Sequence, residues 1–284
     1  MKERALVLGG GGVAGVAWMT GIIFALNKHD IDLREADLMV GTSAGSAVAA
    51  QLNSGLSSQE LFRRQVDSSL QTRELAPNPK LLESLQKFFL TGVPFTQDRA
   101  ELTKRIGKWA LQVTTVSEQE RRSVIAQRLP KHSWPDVPLL IVAVEIESGA
   151  TKVFDRYSGT DLVDAVCASC AVPGIWPPVT INGKRYMDGG VRSADNADLA
   201  HGYSRVLIFS PLGSSHPEMW GGLLKKQIET LKKAGGKVLA IEPDKSSRSA
   251  IGTNPLSPAT RKPAAEAGYN QGQNVAAEIA SFWD

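Results

Sequence analysis

One pattern near the start of the chain constrains its fold more than any other, and it occurs twice: a short apolar run, a glycine, then a longer apolar stretch. Residues 5–8 end at Gly9 and lead into 13–27, which is apolar almost all round and too long for a strand. Residues 38–40, prefaced by Asp37, close at Gly41 and lead into 44–53, which is small and apolar. A buried strand followed by a buried helix, twice over, implies an α/β fold with a mostly parallel sheet and helical crossovers.

The rest of the chain divides by period. From 57 to 128 strand pattern is scarce, and Ser57-Ser58-Gln59-Glu60 has the form of a helix cap. Helices are expected near 58–70, 79–90, 97–112 and 117–128. Segment 56–135 therefore reads as a helical insertion, and a lid candidate, within a single domain spanning 1–284. Strands resume at 138–146 and 152–154, and a helix over 161–171 is stopped by Pro173. Runs 179–181 and 185–187 flank Asn182-Gly183, a two-residue hairpin signal. Strands at 206–210 and 237–241 enclose a helix near 218–233, and a last helix covers 264–282.

Composition narrows the class. Hydrophobic residues make up 42% and charged residues 21% of 284, ordinary for a globular protein. Two cysteines cannot build a secreted disulfide framework, and a net charge of +3 does not argue for nucleic acid. Between Leu56 and Pro135 there are 13 Lys and Arg against 8 Asp and Glu. That excess suits an anionic membrane surface or, more plainly, a solvated helix face. The apolar stretch at 13–26 is interrupted by Gly15 and Gly21, lacks a small-residue cleavage site and is too short to span a bilayer. The expected location is cytoplasmic, with peripheral contact at a membrane surface as the alternative that the basic segment leaves open.

The second strand–helix junction reads Gly41-Thr42-Ser43-Ala44-Gly45, a G-x-S-x-G elbow. Such a turn exposes a serine hydroxyl at a helix N-terminus, and its flanking glycines relieve crowding. Ser43 is thus the candidate nucleophile. It needs a base. His29, His132, His201 and His216 stand in no recognisable setting, and only one strand precedes the elbow, unlike an α/β-hydrolase. Asp188, in Tyr186-Met187-Asp188-Gly189-Gly190, ends a hairpin strand and is the best acidic candidate. Burial beside the hydroxyl would raise its basicity.

Gly10-x-Gly12-x-x-Gly15 spells a dinucleotide fingerprint, so a Rossmann-type NAD(P)- or FAD-binding protein is the alternative reading. That motif needs an acid at the end of the second strand, where Val40-Gly41 stands instead. The loop reads better as an oxyanion hole built from the amides of Gly10, Gly11, Gly12 and Val13. No H-E-x-x-H or clustered ligand set is present, so neither metal nor cofactor is expected.

Together these three stretches resemble the patatin-like phospholipase family, which pairs G-G-G-x-R/K-G with G-x-S-x-G and D-G-G/A. Here they read Gly10-Gly11-Gly12-Val13-Ala14-Gly15, Gly41 to Gly45 and Asp188-Gly189-Gly190, and the run from Ala168 to Pro173 looks like the family's block upstream of the aspartate. The resemblance implies a three-layer α/β/α sandwich, a Ser43–Asp188 dyad without histidine, and hydrolysis of phospholipid or other fatty-acyl esters. Ala14 stands where the family usually has a cation. Cys167 and Cys170 spell C-x-x-C without a redox or metal context and read as packed helix residues. Trp176 is a candidate wall of an acyl pocket or a core aromatic. Phe88-Phe89-Leu90 and Val93-Pro94-Phe95 are candidates for an acyl channel or for ordinary packing.

Overall fold

The structure is a computed structural model that describes residues 3–88, 99–214 and 223–283. Its eight strands form one sheet: β1 (Arg4–Leu8), β2 (Leu38–Thr42), β3 (Leu139–Glu145), β4 (Thr151–Phe154), β5 (Val179–Ile181), β6 (Lys184–Asp188), β7 (Arg205–Phe209) and β8 (Lys237–Ile241). The helices are α1 (Gly12–Asn27), α2 (Ala44–Leu52), α3 (Ser58–Val66), α4 (Pro79–Lys87), α5 (Arg99–Ala110), α6 (Glu118–Arg128), α7 (Leu162–Ser169), α8 (Leu224–Lys233), α9 (Lys245–Ile251) and α10 (Arg261–Trp283).

Strands β3, β2, β1, β7 and β8 run parallel in that order. Strands β4 and β6 join β3 antiparallel, and β5 pairs with β6. Alternation along β1 assigns the layers. Leu6 and Leu8 belong to the main core with α1, α2, α7 and α10, whereas Ala5 and Val7 face a smaller core with Leu224 and Leu231 of α8. A third cluster, around Ile106 of α5 with Val144 and Met187, covers the β3–β6 end of the sheet. Helices therefore cover both faces, an α/β/α arrangement.

Register fixes the geometry that matters most. On β3, residues Ile141 to Val144 pair with β4. Ile141 and Val142 also pair with Gly41 and Thr42 of β2, while Ala143 and Val144 pair with Asp188 and Met187 of β6. One strand edge accepts one partner at each position, so β4 takes one edge and β2 and β6 share the other. The end of β2 and the end of β6 meet there head to head, at Thr42 and Asp188.

The hairpin turn at Asn182-Gly183 has positive φ at both residues, 50° and 75°, as a type I′ turn requires. Helix α3 carries the full capping box of Ser57 and Glu60 and stops at Val66, earlier than the sequence suggests. Helix α10 begins at Arg261, three residues before the expected start, because Pro263 falls in the first turn, where a missing N–H costs no bond. Helix α9, capped by Asp244, has no apolar stripe and was not expected. In the segment 56–135, Leu61, Ile125 and Leu129 join the main core, while α4 buries no residue. Phe88 stacks on Trp109 at 4.4 Å; Phe89, Leu90, Val93, Pro94 and Phe95 lie outside the described residues.

Trp18 of α1 is fully buried, donates Nε1–H to Gln271 Oε1 of α10 at 3.0 Å and meets Phe209 edge-on. We expect Trp18→Ala to lower the unfolding free energy by about 3–5 kcal/mol, measured by urea denaturation.

Candidate active site

Strand β2 ends at Thr42, and α2 begins at Ala44, so Ser43 alone makes the turn. Its backbone stands at φ 50°, ψ −114°, a conformation costing on the order of 1–3 kcal/mol for a residue with a Cβ. The neighbourhood holds it there. Ser43 N–H donates to Ser169 Oγ at 2.8 Å, and that hydroxyl donates to Val142 O of β3 at 2.6 Å. Ser43 O accepts from Ser46 Oγ at 2.7 Å and from the Cys170 thiol at 3.3 Å. Gly45 is obligatory: a Cβ there would lie 1.8 Å from Leu8 O. The amide of Ala44 opens the first turn of α2, where no intrahelical acceptor exists.

Asp188 enters from the opposite direction on the same edge of β3. Its side chain is buried, and Oδ1 accepts from Gly190 N–H at 2.7 Å. Oδ2 is buried without a full hydrogen bond. Burial pushes the carboxyl up to about 7; the Gly190 N–H and the nearby Ser43 hydroxyl oppose that rise. The Ser43 hydroxyl lies close enough to favour the carboxylate. Gly189 permits this approach, since a Cβ there would meet Val142 O at 2.3 Å.

Asn196 locks the two ends together. It is fully buried with φ 51°, and its Nδ2 donates to Thr42 Oγ1 at 2.9 Å, Ser193 O at 2.8 Å and Gly189 O at 3.3 Å. Thr42 precedes the serine, and Gly189 follows the aspartate. Sequence reading missed Asn196, Ser169 and also Asp195. Asp195 is buried behind the glycine loop, where a Cβ on Gly9 would lie 2.2 Å from its Oδ1. Burial raises its carboxyl to about 7, with the Ser210 hydroxyl opposing and Glu242 adding to the rise. No spacing rule distinguishes these residues from turn residues.

The glycine loop differs from expectation at one amide. Gly10 N–H donates to Ala194 O at 2.8 Å and is committed to the fold. Ala14 N–H donates to Pro255 O at 2.9 Å. Among the described residues, no acceptor is bonded to the amides of Gly11, Gly12 and Val13, so the free donors narrow to these three. The segment holding Pro255 and Leu256 covers Gly12, a contact that 243 positions of separation hide from sequence.

A shallow cleft brings together Gly12, Val13, Ser43, Ala44, Cys170 and Trp176. Trp176 is buried under Arg121, whose guanidinium carbon lies 4.0 Å from the ring centroid. None of the described histidines lines it; His29 pairs with Gln273 and His132 with Ala126 O, both at the surface, and His216 lies outside the described residues. Cys167 and Cys170 are free and buried, and burial pushes the Cys167 thiol up to about 12. Among the described residues no cluster of three His, Cys, Asp or Glu could hold a metal, and no helix is long and apolar enough to cross a membrane.

A family model for patatin-like phospholipases matches residues 6–201, more than half of the chain. The chain belongs to the patatin-like phospholipase family. It is similar to the solved structure of VipD from Legionella pneumophila, at 14% identity and TM-score 0.48, over 98% of this chain and 67% of that one. It is also similar to the type III effector protein ExoU, at 15% identity and TM-score 0.42, over 98% of this chain and 53% of that one. Against full-length ExoU from Pseudomonas aeruginosa, solved with SpcU, the values are 16% and 0.39, over 99% and 52%. The chain thus spans about half the length of ExoU. Strands β7 and β8 and helices α8 to α10 follow the matched region, yet they complete the sheet and its two cores. Ala14, at the family's usual cation position, is fully buried and puts no charge in the loop.

Asn196→Ala leaves the Gly189 and Ser193 carbonyls and the Thr42 hydroxyl short of a donor. We expect a loss of about 1–3 kcal/mol in unfolding free energy by chemical denaturation, together with slower labelling of Ser43 by a fluorophosphonate.

Proposed function

We propose that the protein is a serine-dependent lipid acyl hydrolase, a carboxylic ester hydrolase acting through a Ser43–Asp188 dyad. The observation that carries this reading is a buried carboxyl beside an elbow serine, held near the pKa at which a base works best in neutral solution. Ser43 Oγ attacks the ester carbonyl carbon as Asp188 accepts its proton. The carbonyl oxygen becomes a tetrahedral oxyanion, stabilised by the amides of Gly11, Gly12 and Val13 and by Ala44 at the N-terminus of α2. Collapse expels the alcohol, which takes the proton back from Asp188 and leaves a fatty acyl group on Ser43. Water then attacks that ester while Asp188 again accepts a proton, and the acid departs. Trp176 forms one wall for the acyl group. Segment 56–135 supplies the side of the cleft that carries Glu74, Arg121 and Arg128, as a lid or binding surface would. Transient membrane-surface contact by its basic excess fits a substrate dissolved in a bilayer.

Ser43→Ala is expected to abolish fluorophosphonate labelling and release of fatty acid from defined phospholipid, lysolipid and neutral glyceride substrates. Labelling that persists in this variant refutes the proposal. Asp188→Asn should retain the fold and lower kcat by about 10²–10⁴.

The pH dependence follows from the sign of the shift. Asp188 must be ionised to accept a proton, so kcat/KM falls as pH drops through about 7. For stability, the neutral carboxyl is the favoured folded form, and the unfolded group ionises near 3.8. Its contribution is therefore fully present below pH 3.8 and lost as pH rises to about 7. Asp188→Asn should accordingly be more stable than the parent at pH 8, measured by urea denaturation.

A further inference from the structure

Three consecutive residues hold the glycine loop from behind, and one of them carries a buried carboxyl that the Ser43–Asp188 chemistry does not use. Ala194 O accepts Gly10 N–H at 2.8 Å, and Asn196 Nδ2 spans Thr42 and Gly189. Asp195 lies between them and is 1% exposed. Its carboxyl rests on Gly9, where a Cβ would come 2.2 Å from Oδ1 and 3.2 Å from Cγ. Gly9 in turn donates its N–H to Phe209 O at 2.9 Å, at the end of β7. A Cβ on Gly11 would lie 2.5 Å from Pro211 Cβ. The loop is thus packed between Asp195 and the end of β7. The backbone under Asp195 is anchored as well: Ser193 Oγ accepts from the amides of Asp195 at 3.4 Å and Asn196 at 3.1 Å, and Ala197 N–H donates to Gln227 Oε1 of α8 at 3.1 Å.

These surroundings suit an uncharged acid. Asp195 Oδ1 and Ser210 Oγ are both buried without a hydrogen-bond partner among the described residues. The charge acting on Asp195 is that of Glu242, just past β8, and it has the same sign; Ser214 Oγ donates to that carboxylate at 3.2 Å. On the segment of Asp195 itself, Arg192 is taken by Asp198 at 2.6 Å. Gly9, Phe209, Ser210, Pro211 and Gln227 carry no charge. Burial pushes the Asp195 carboxyl up to about 7, against the smaller effect of the Ser210 hydroxyl. A protonated carboxyl can share its hydrogen with Ser210 and satisfy both lone oxygens. A carboxylate there is a buried charge under Gly9 without a cation. It also sets a negative charge behind the amides that must receive an oxyanion, and so weakens them.

We propose that Asp195 is a positioning residue for the oxyanion hole: as the neutral acid it holds Gly9 and the glycine loop in place, and its ionisation switches ester hydrolysis off on the alkaline side. This rests on the assignment of Ser43 as nucleophile and of the Gly11, Gly12 and Val13 amides as oxyanion donors. Asp195 does not line the Ser43 cleft and acts only through the loop. Hydrolysis then needs Asp188 ionised and Asp195 neutral. The pH profile is bell-shaped, with its acid limb set by Asp188 and its alkaline limb by Asp195.

The test is the pH dependence of kcat/KM for p-nitrophenyl butyrate in the parent protein and in Asp195→Asn, which keeps the shape of the side chain and removes its charge; thermal melts confirm the fold. The parent is expected to lose about tenfold or more between about pH 7 and about pH 9, whereas Asp195→Asn keeps the acid limb and stays level over that range. A parent without an alkaline limb overturns the proposal. So does an alkaline limb that persists in Asp195→Asn, including one in a variant whose activity is lowered equally at every pH, as a merely structural role would give. A second measurement needs no change at Asp195. In 15N-labelled Asp188→Asn, the amide signals of Gly9 and Gly10 should titrate with a midpoint of about 7, because the carboxyl beneath them remains. Signals that stay fixed between about pH 6 and about pH 9 overturn the proposal. If no ester is cleaved, the hydrolase assignment fails separately, and the Gly9 and Gly10 titration still decides whether Asp195 sets the loop.

Discussion

The edge of β3 that β2 and β6 share is the constraint on which the rest of the site depends. Thr42 pairs with Val142, and Asp188 pairs with the next residue, Ala143. Two strands running in opposite directions therefore end against one another. The chain leaves β2 through Ser43 and leaves β6 through Gly189, and both departures happen where a third strand holds the backbone by ladder hydrogen bonds. Asn196 then bridges Thr42 and Gly189 across the gap. Ser43 and Asp188 are positioned by the sheet itself rather than by flexible loops, as the proposed two-group mechanism requires.

Removing water from that junction does the electrostatic tuning. A solvated aspartate is too weak a base for a serine hydroxyl. Burial shifts Asp188 upward, and only one N–H, from Gly190, is supplied to oppose it. Asp195, close by behind Gly9, is raised by the same cause. The two carboxyls show that the core around the elbow penalises charge generally. On the other wall of the cleft, the guanidiniums of Arg128 and Arg121 outweigh burial at Glu74. One site thus holds a carboxyl near neutrality and another carboxyl fully ionised, separated by what surrounds each.

Much of this was legible in the chain. The elbow needs glycine on each side of Ser43, and a Cβ at Gly45 would strike Leu8 O, so the letters carry the steric demand directly. Asn182-Gly183 fixes a tight hairpin, which in turn delivers Asp188 at a strand end. The free amides at Gly11, Gly12 and Val13 follow from a helix starting at Gly12. What was not legible depends on partners far away in sequence. Gly10 N–H is taken by Ala194 O and Ala14 N–H by Pro255 O, acceptors that no reading of the glycine run alone contains. Ser169 lies in the run from Ala168 to Pro173 that resembles the family's block, but its tie between Ser43 and β3 depends on contacts 126 and 27 positions away.

The sequence by itself determined the local chemistry: a serine on a strained turn, an aspartate at a hairpin end, and amides left open by a helix start. Each follows from backbone sterics and hydrogen-bond accounting over a few residues. Tertiary structure alone decided which amides remain free, that Asn196 bridges Thr42 and Gly189, that burial pushes the Asp188 carboxyl up, and that Arg121, Arg128 and Arg261 converge on Glu74 beside Ser43. Those depend on burial and on long-range contact, and both are properties of the assembled core that no short window of residues contains.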